Sequence, residues 1–252
     1  MIDLHSHILP HLDDGARDLD ESVAMARSMA DEGVRIVAAT PHVRSDYPTT
    51  PEEMEDALLL VRDAVARAGI DIEIRGGGEI AVDRFARLDL GTLQRFGLGA
   101  NPRVLLLEYP YSGWSPDLAA ICIQLRRDGI VPVIAHPERN EAIHHDPSTL
   151  EALVQVGALV QLTAASVDGR LGRAPAVCAR RLLELELAHL IASDAHAPHL
   201  RQAGLSKAVD AVGQRALAQW LTDGVPEAIL AGADLPARPS VPRRKRRFRR
   251  RT

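Results

Sequence analysis

Short apolar runs alternate with helical segments along most of this chain, and that alternation constrains the fold more than any other feature. The runs lack the polar alternation of a half-exposed sheet, so we predict strands that are buried on both faces, as in parallel sheets. For 252 residues, closure of such a sheet into an α/β barrel is the most economical arrangement. The predicted strands are Ile2–His5, Val34–Thr40, Ile70–Arg75, Val104–Leu107, Ile130–Ala135, Ala158–Leu162 and Leu190–Ala192.

The segments between these strands carry apolar residues at helical spacing. With 46% hydrophobic but only 3% aromatic residues, the core must be built mainly from Leu, Val, Ile and Ala. This content suffices for one large domain or two small ones. The predicted helices are Asp18–Glu32, Pro51–Ala68, Ser115–Asp128, Pro147–Val156, Pro175–Leu187, Leu205–Val212, Gln214–Thr222 and Pro226–Ala231, with less regular structure over Ile80–Pro102.

Several classes of protein are disfavoured by the sequence. No apolar stretch reaches the roughly 18 residues that a membrane span requires, and the first residues lead directly into Asp3 and His5, unlike a signal peptide. The two cysteines, Cys122 and Cys178, are isolated and form neither a disulfide framework nor a cysteine zinc motif. We therefore predict a cytoplasmic protein.

The end of the chain differs sharply in charge from the rest. Residues 243–251 read RRKRRFRRR, and without these eight basic residues 22 Lys and Arg face 34 Asp and Glu, a net charge of −12. We predict one domain over residues 1–235 and a disordered basic tail over 236–252. The tail is either an ordinary solvated charge run, a segment attracted to anionic membrane lipid, or a nonspecific nucleic-acid contact.

Nearly every predicted strand is followed by a histidine or an acidic residue. In a parallel barrel the carboxyl ends of the strands converge on one face, where such folds hold their active sites. Each residue alone has an ordinary explanation as a solvated, capping or ion-paired side chain, but their joint placement predicts a shared site. The set consists of His5, His7, His42, Glu79, Glu108, His136, Asp194 and His196, with Asp14 from the first loop.

Histidines and carboxylates without cysteines suit zinc, manganese or iron. Nine ligands exceed the capacity of one ion, so two or three ions with bridging carboxylates are implied. Arg139 and Arg201 follow two of these strand ends, and the guanidinium fork is suited to phosphate oxygens, although ion pairs with the acidic domain are the alternative. Together these features predict phosphate ester hydrolysis by a hydroxide that a metal ion has activated.

The motifs DLHSHILPHLDDGA, TPH, GGGE, LLLEYP, AHPERN and SDAH, in this order, resemble those of the polymerase-and-histidinol-phosphatase (PHP) superfamily. More narrowly, they resemble its bacterial protein-tyrosine-phosphatase branch, the manganese-dependent phosphatases of capsule and exopolysaccharide loci. The resemblance covers approximately Met1 to Gly204, and the first, fifth and sixth motifs in combination are specific to that family.

This resemblance implies a distorted (β/α)7 TIM-like barrel of PHP type with three metal ions. One ion would be held by His5, His7, Glu79 and Asp194, a second by Glu79, Glu108 and His136, and a third by Asp14, His42 and His196. Arg139 and Arg201 match phosphate-binding arginines, and with Asp14 they are the predicted catalytic residues. The implied substrate is phosphotyrosine on a bacterial tyrosine autokinase that controls polysaccharide synthesis, which would place the protein at the inner face of the membrane.

Two departures from the family and two alternatives stay open. Some members assemble through a Glu-x-x-Arg-Arg motif in the first helix, which reads ESVAMARSMADEG here, so the oligomeric state is undetermined; the basic tail is not a family feature either. The first alternative is PHP-type hydrolysis of histidinol phosphate or of a nucleic-acid phosphodiester. The second is a protein without enzymatic activity that binds anionic surfaces through its tail; nucleic acid is not an expected partner of the phosphatase.

Overall fold

A computed structural model describes residues 1–85, 87–114, 117–198 and 204–240 of the chain. Each sheet ladder within these residues is parallel. The strands are β1 Ile2–Ser6, β2 Ile36–Ala39, β3 His42–Val43, β4 Glu73–Arg75, β5 Glu79–Ala81, β6 Val104–Glu108, β7 Val131–Ile134, β8 Leu159–Thr163 and β9 Leu190–Ala192.

The strands form a closed ring, in which two of the strand positions are each interrupted and divided into two short strands. Strands β1, β2 and β4 are paired in that order, and the second sheet runs β3, β5, β6, β7, β8, β9. Because β3 directly continues β2 and β5 continues β4, the described residues contain seven strand positions. A parallel bridge between Ser6 and Ala195 joins β1 to the segment after β9, and the His7 main-chain N–H donates to Ala195 O at 2.8 Å. The predicted distorted (β/α)7 barrel is confirmed.

Both interruptions have a cause in the sequence. Pro41 separates β2 from β3, and proline has no N–H to donate to a sheet ladder. Gly76, Gly77 and Gly78 separate β4 from β5, and a Cβ atom on Gly78 would lie 2.7 Å from Phe96 Cδ1. Only glycine allows this approach without displacement of the Phe96 ring, so the glycines set the position at which Glu79 enters the barrel.

The core is aliphatic, as the composition predicts. In β6, for example, Leu105, Leu106 and Leu107 are all almost fully buried, which agrees with a strand covered on both faces. Burial of each such side chain contributes about 1.5–3 kcal/mol. Cys122 and Cys178 are both free and buried.

The helices cover the outside of the barrel. The predicted helix at 175–187 begins two residues earlier, because Pro175 lies in the first turn, where main-chain N–H groups have no helical acceptor. The predicted helix at 147–156 is a 3-10 turn followed by a short α-helix. The helices are α1 Leu19–Asp31, α2 Pro51–Arg67, α3 Val82–Phe85, α4 Leu90–Arg95, α5 Asp117–Arg127, α6 Glu141–His145, α7 Glu151–Gln155, α8 Ala164–Val167, α9 Arg173–Glu184, α10 Ser206–Val212, α11 Arg215–Gln219 and α12 Val225–Ala231.

The start of the predicted tail packs on the domain. The Trp220 indole N–H donates to Pro236 O at 2.9 Å, and the Arg238 guanidinium donates to Ala188 O at 2.6 Å. Residues 236–238 therefore belong structurally with the domain, and residues 241–252, which include the basic run, lie outside the described residues. No helix in the described part of the chain is both long enough and apolar enough to cross a membrane.

Candidate metal centre

All nine predicted metal ligands lie together at the carboxyl end of the barrel. Eight are buried, and the ninth, Asp14, has a side chain that is 44% exposed. Ligand atoms converge in four overlapping groups, with all atoms of a group within 4.8 Å of one another. These groups are His7, Asp14, His42 and His196; His5, Glu79 and His136; His5, His7 and Asp194; and His42, Glu79 and Glu108. Arg201 lies outside the described residues.

Glu79 is the central residue of the cluster. Its Oε1 atom lies 2.8 Å from His136 Nε2, while Oε2 lies 3.0 Å from His42 Nδ1 and 3.3 Å from His5 Nε2. The Glu79 Oε2 atom has no hydrogen-bond partner within the described residues although it is buried. A buried carboxylate oxygen without a donor is costly unless a cation balances it.

His5 and His7 show most directly what the centre can hold. His5 Nδ1 lies 3.0 Å from Gln161 Oε1, and His7 Nδ1 lies 2.7 Å from Asp13 Oδ2. Both partners are acceptors, since Gln161 Oε1 also lies 3.3 Å from the His136 main-chain N–H. Each neutral ring therefore carries its hydrogen on Nδ1.

The two Nε2 atoms, which are 3.2 Å apart, then present lone pairs to each other. Asp194 Oδ1 adds a further acceptor, 3.6 Å from His5 Nε2 and 3.4 Å from His7 Nε2. Positive charge must balance these converging acceptors, and either a proton on one of the rings or a bound metal ion can supply it. The donor set therefore fits a divalent metal ion.

A second part of the cluster lies around Asp14. Its Oδ1 atom is 3.5 Å from His42 Nε2 and 3.4 Å from His196 Nε2, and His196 Nδ1 is oriented by Asp194 O at 2.9 Å. The loop reaches this position because Gly15 packs on His7, whose carbonyl oxygen would lie 2.1 Å from a Cβ atom at position 15. Asp14 thus faces the two histidines that the family resemblance groups with it.

The strand ends that carry His136 and Asp194 adopt left-handed backbone conformations, with φ of 34° and 52°. Such conformations cost about 1–3 kcal/mol for residues other than glycine and persist where the surroundings impose them. The Asp194 main-chain N–H donates to His5 O at 2.9 Å, and Asp194 Oδ2 accepts from the Arg139 guanidinium at 2.7 Å. These two contacts therefore hold Asp194 in a strained backbone conformation and keep its carboxylate within the cluster.

Glu108 lies beside His42 and Arg44. Its Oε2 atom is 3.4 Å from His42 Nδ1 and 3.5 Å from Arg44 Nη1, whereas His136 shares a group of ligand atoms with Glu79 and His5. In the ligand set taken from the family resemblance, Glu108 and His136 were partners on one ion. In the structure, Glu79 belongs to both groups of ligand atoms, the one with His5 and His136 and the one with His42 and Glu108.

The electrostatics of the cluster favour a cation. Burial disfavours the charged ring of His42, but contacts with Asp14, Glu108 and Glu79 raise its pKa to about 11. Burial opposes ionisation of Glu79 as well, yet the pKa of this carboxyl is lowered well below its usual range by His5, His136 and His42. The carboxylates thus attract positive charge into a buried space, which either protons or metal ions can supply.

Several residues that the sequence pattern did not indicate contribute to the centre. Asp13 accepts from the His42 main-chain N–H at 2.8 Å as well as facing His7, and Gln161 orients His5. The adjacent acidic pair in LPHLDDGA was a usable signal for Asp13, whereas Gln161 lies within an otherwise apolar strand and gave none. At the mouth, the guanidinium of Arg139 packs 4.5 Å from the ring centroid of Tyr111.

Replacement of Asp13 by Asn tests the importance of this support. The change leaves every predicted ligand in place but weakens the charge-assisted contact with His7 Nδ1. Loss of such an orienting partner usually costs about 10- to 100-fold in metal affinity or activity, and we expect a loss in that range. Metal titration followed by calorimetry measures it, and an unchanged affinity would contradict the orienting role.

The structure is a parallel β/α barrel whose histidines and carboxylates form groups that could hold metal ions, at the carboxyl end where such folds hold their active sites. The family model described as "Capsular polysaccharide synthesis, CpsB/CapC" matches residues 1–223. The chain belongs to this family, which confirms the resemblance that the sequence motifs carry.

Similar proteins include the tyrosine-protein phosphatase YwqE of Bacillus subtilis, which is 36% identical over 197 residues, or 78% of this chain and 77% of YwqE. Tyrosine-protein phosphatase CpsB of Streptococcus pneumoniae is 29% identical over 226 residues, or 85% of this chain and 90% of CpsB. A crystal structure from work on these two proteins, described as unique metal-dependent tyrosine phosphatases, matches with a TM-score of 0.84 and 30% identity, covering 96% of this chain and 100% of the solved one.

Proposed function

We propose that this protein is a metal-dependent phosphotyrosine-protein phosphatase. The observation that carries the proposal is the convergence of buried His5 and His7 lone pairs with Glu79 and Asp194, beside Arg139 at the mouth of the cluster. Membership of the CpsB/CapC family and similarity to proteins named tyrosine phosphatases support it.

We propose manganese as the ion, with zinc or iron as alternatives, and two or three ions in the centre. His5, His7, Glu79 and Asp194 would hold one ion. Asp14, His42 and His196 would hold another, in agreement with their contacts. Glu79, His136 and Glu108 would hold the remaining ion, and Glu79 belongs to the groups of ligand atoms that contain each of the other two.

The reaction divides between the metal ions and the protein side chains. When bound, the ions supply an acidified water molecule and neutralise charge on the phosphoryl oxygens. Arg139 lies at the mouth with its side chain 16% exposed, so its remaining N–H donors are placed to bind phosphoryl oxygens and orient the ester. Asp14, the most exposed of the nine predicted ligands, stands where a proton can be exchanged with solvent. Arg201 is proposed as a second phosphate-binding residue.

Removal of the metal provides the direct test of this function. We expect hydrolysis of a phosphotyrosine peptide and of p-nitrophenyl phosphate with manganese, loss of nearly all activity after dialysis against a chelator, and recovery on return of the ion. Phosphate release measured at equal protein concentration gives the comparison. Absence of hydrolysis with any divalent metal would refute the proposal.

The same assay separates the alternative substrates. The family match favours phosphotyrosine, so kcat/KM should be higher for the peptide than for histidinol phosphate or a short DNA. Faster turnover of histidinol phosphate or of DNA would instead indicate the activity of another branch of PHP-type hydrolases. If deletion of residues 242–252 abolished function while His136→Ala did not, binding through the basic tail would be the function instead.

We further propose that the substrate is the phosphotyrosine cluster of a membrane tyrosine autokinase that acts in capsule or exopolysaccharide synthesis. The family description, capsular polysaccharide synthesis, supports this assignment. The protein would then act in the cytoplasm at the inner face of the membrane. Residues 1–235, with residues 236–238 packed on them, would form the phosphatase domain, and the basic run would be available for contact with anionic lipid. Dephosphorylation of a purified, phosphorylated bacterial tyrosine autokinase is the corresponding assay.

A further inference from the structure

Tyr111 occupies an unusual position for a large aromatic side chain. It lies in the loop between β6 and α5 and is 43% exposed, yet its ring is not isolated. The ring centroid lies 5.7 Å from that of His136 and 4.5 Å from the guanidinium carbon of Arg139. Tyr111 therefore stands beside both a predicted metal ligand and the predicted phosphate-binding arginine, with much of its surface open to solvent.

The main chain on both sides of Tyr111 is fixed by the segment that carries these two residues. The Asn140 amide group donates to Pro110 O at 2.7 Å and to Gly113 O at 2.8 Å. The Glu141 main-chain N–H donates to Tyr111 O at 3.0 Å. The loop is thus tied to residues 140 and 141, directly after Arg139, so Tyr111 and Arg139 keep a constant relative position.

Asn140 is fully used in this arrangement. It is 1% exposed, and its Oδ1 atom accepts from the main-chain N–H groups of Ala142 and Ile143 at 2.8 and 3.3 Å. One side chain therefore begins helix α6 and also holds the Tyr111 loop. A ring that is positioned before substrate arrives does not lose entropy on binding, which increases its contribution to affinity.

We propose that Tyr111 is a specificity-determining residue that packs against the aryl ring of the substrate, and that Asn140 is the residue that positions it. The inference rests on the proposed function. Arg139 would bind the phosphoryl group of any ester, whereas a neighbouring aromatic surface at fixed distance favours a phosphate attached to a ring. Aromatic pairs contribute enough to change an affinity by about three- to tenfold.

A matched pair of inhibitors tests the proposal without dependence on leaving-group chemistry. Phenylphosphonate and methylphosphonate share the anionic group and differ in the ring. For the manganese-loaded protein with Tyr111→Leu, we expect the dissociation constant of phenylphosphonate to rise about three- to tenfold more than that of methylphosphonate. Tyr111→Phe retains the ring and should preserve the ratio. Calorimetry measures both constants, and kcat for a phosphotyrosine peptide should change less than KM.

Asn140→Asp provides the second variant. It keeps an oxygen that caps α6 but removes the donors to Pro110 and Gly113, so the dissociation constant of phenylphosphonate should rise relative to that of methylphosphonate while the bound manganese is unchanged. An unaltered ratio of the two dissociation constants in Tyr111→Leu would overturn the specificity role. Equally weakened binding of both inhibitors in Asn140→Asp would overturn the positioning role. Failure of the wild-type protein to hydrolyse any phosphate ester would instead count against the proposed function itself.

Discussion

Replacement of Glu79 by Gln should lower kcat by more than about a hundredfold and reduce the amount of bound metal. Substitution of a residue that merely orients a metal ligand lowers metal affinity or activity about 10- to 100-fold. Substitution of a residue shared between groups of ligand atoms should lower them further. Glu79 is fully buried, and its two oxygens face His136 on one side and His42 and His5 on the other. The amide preserves the volume but removes the negative charge and places an N–H group toward acceptors.

The measurement combines metal content by elemental analysis with steady-state kinetics over a range of manganese concentrations. Glu227→Gln is a suitable control, because the Glu227 side chain, on α12, is 66% exposed and its carboxylate lies 3.8 Å from the Arg35 guanidinium. It should leave metal content and kcat unchanged. A Glu79→Gln protein with normal metal content and normal turnover would show that Glu79 is not a shared ligand.

The barrel was predictable because its strands are buried on both faces. Continuous apolar runs such as VLLL in β6 have no other economical place in a chain of this length. The two strand breaks were not predictable to the same degree. Pro41 and the glycines at 76–78 indicated irregular backbone, but pattern alone does not show that β3 and β5 resume pairing beyond them. That outcome depends on the packing of Gly78 against Phe96.

The candidate site was predictable as a set, because parallel strands bring their carboxyl ends to one face whatever the details of register. Its internal arrangement was not. Which side of Glu79 faces Glu108 depends on the relative rotation of β3, β5 and β6, which no local pattern encodes. Gln161 and Arg44 gave no signal, since one lies in an apolar strand and the other follows His42 in a loop where arginine is ordinary.

Replacement of Arg139 by Ala should raise KM about 10- to 150-fold, because a hydrogen bond to a charged group contributes about 1.5–3 kcal/mol. From the sequence, an increase mainly in KM is expected, since the arginine would bind phosphate in the ground and transition states alike. The structure adds a second effect. The Arg139 guanidinium donates to Asp194 Oδ2 at 2.7 Å, so its loss also removes a support of a predicted metal ligand, and kcat should fall as well.

A lysine at position 139 separates these two effects. Lysine keeps the positive charge beside Asp194 but lacks the planar fork that contacts an anion through two N–H groups. Arg139→Lys should therefore recover much of kcat while KM stays high, and Arg67→Ala, on the exposed end of α2, should change neither constant. Equal recovery of both constants by lysine would mean that charge alone matters at this position. If Arg139→Ala left both KM and kcat unchanged, Arg139 would have no part in phosphate binding. Other residues at the mouth of the cluster would then have to bind the phosphoryl group.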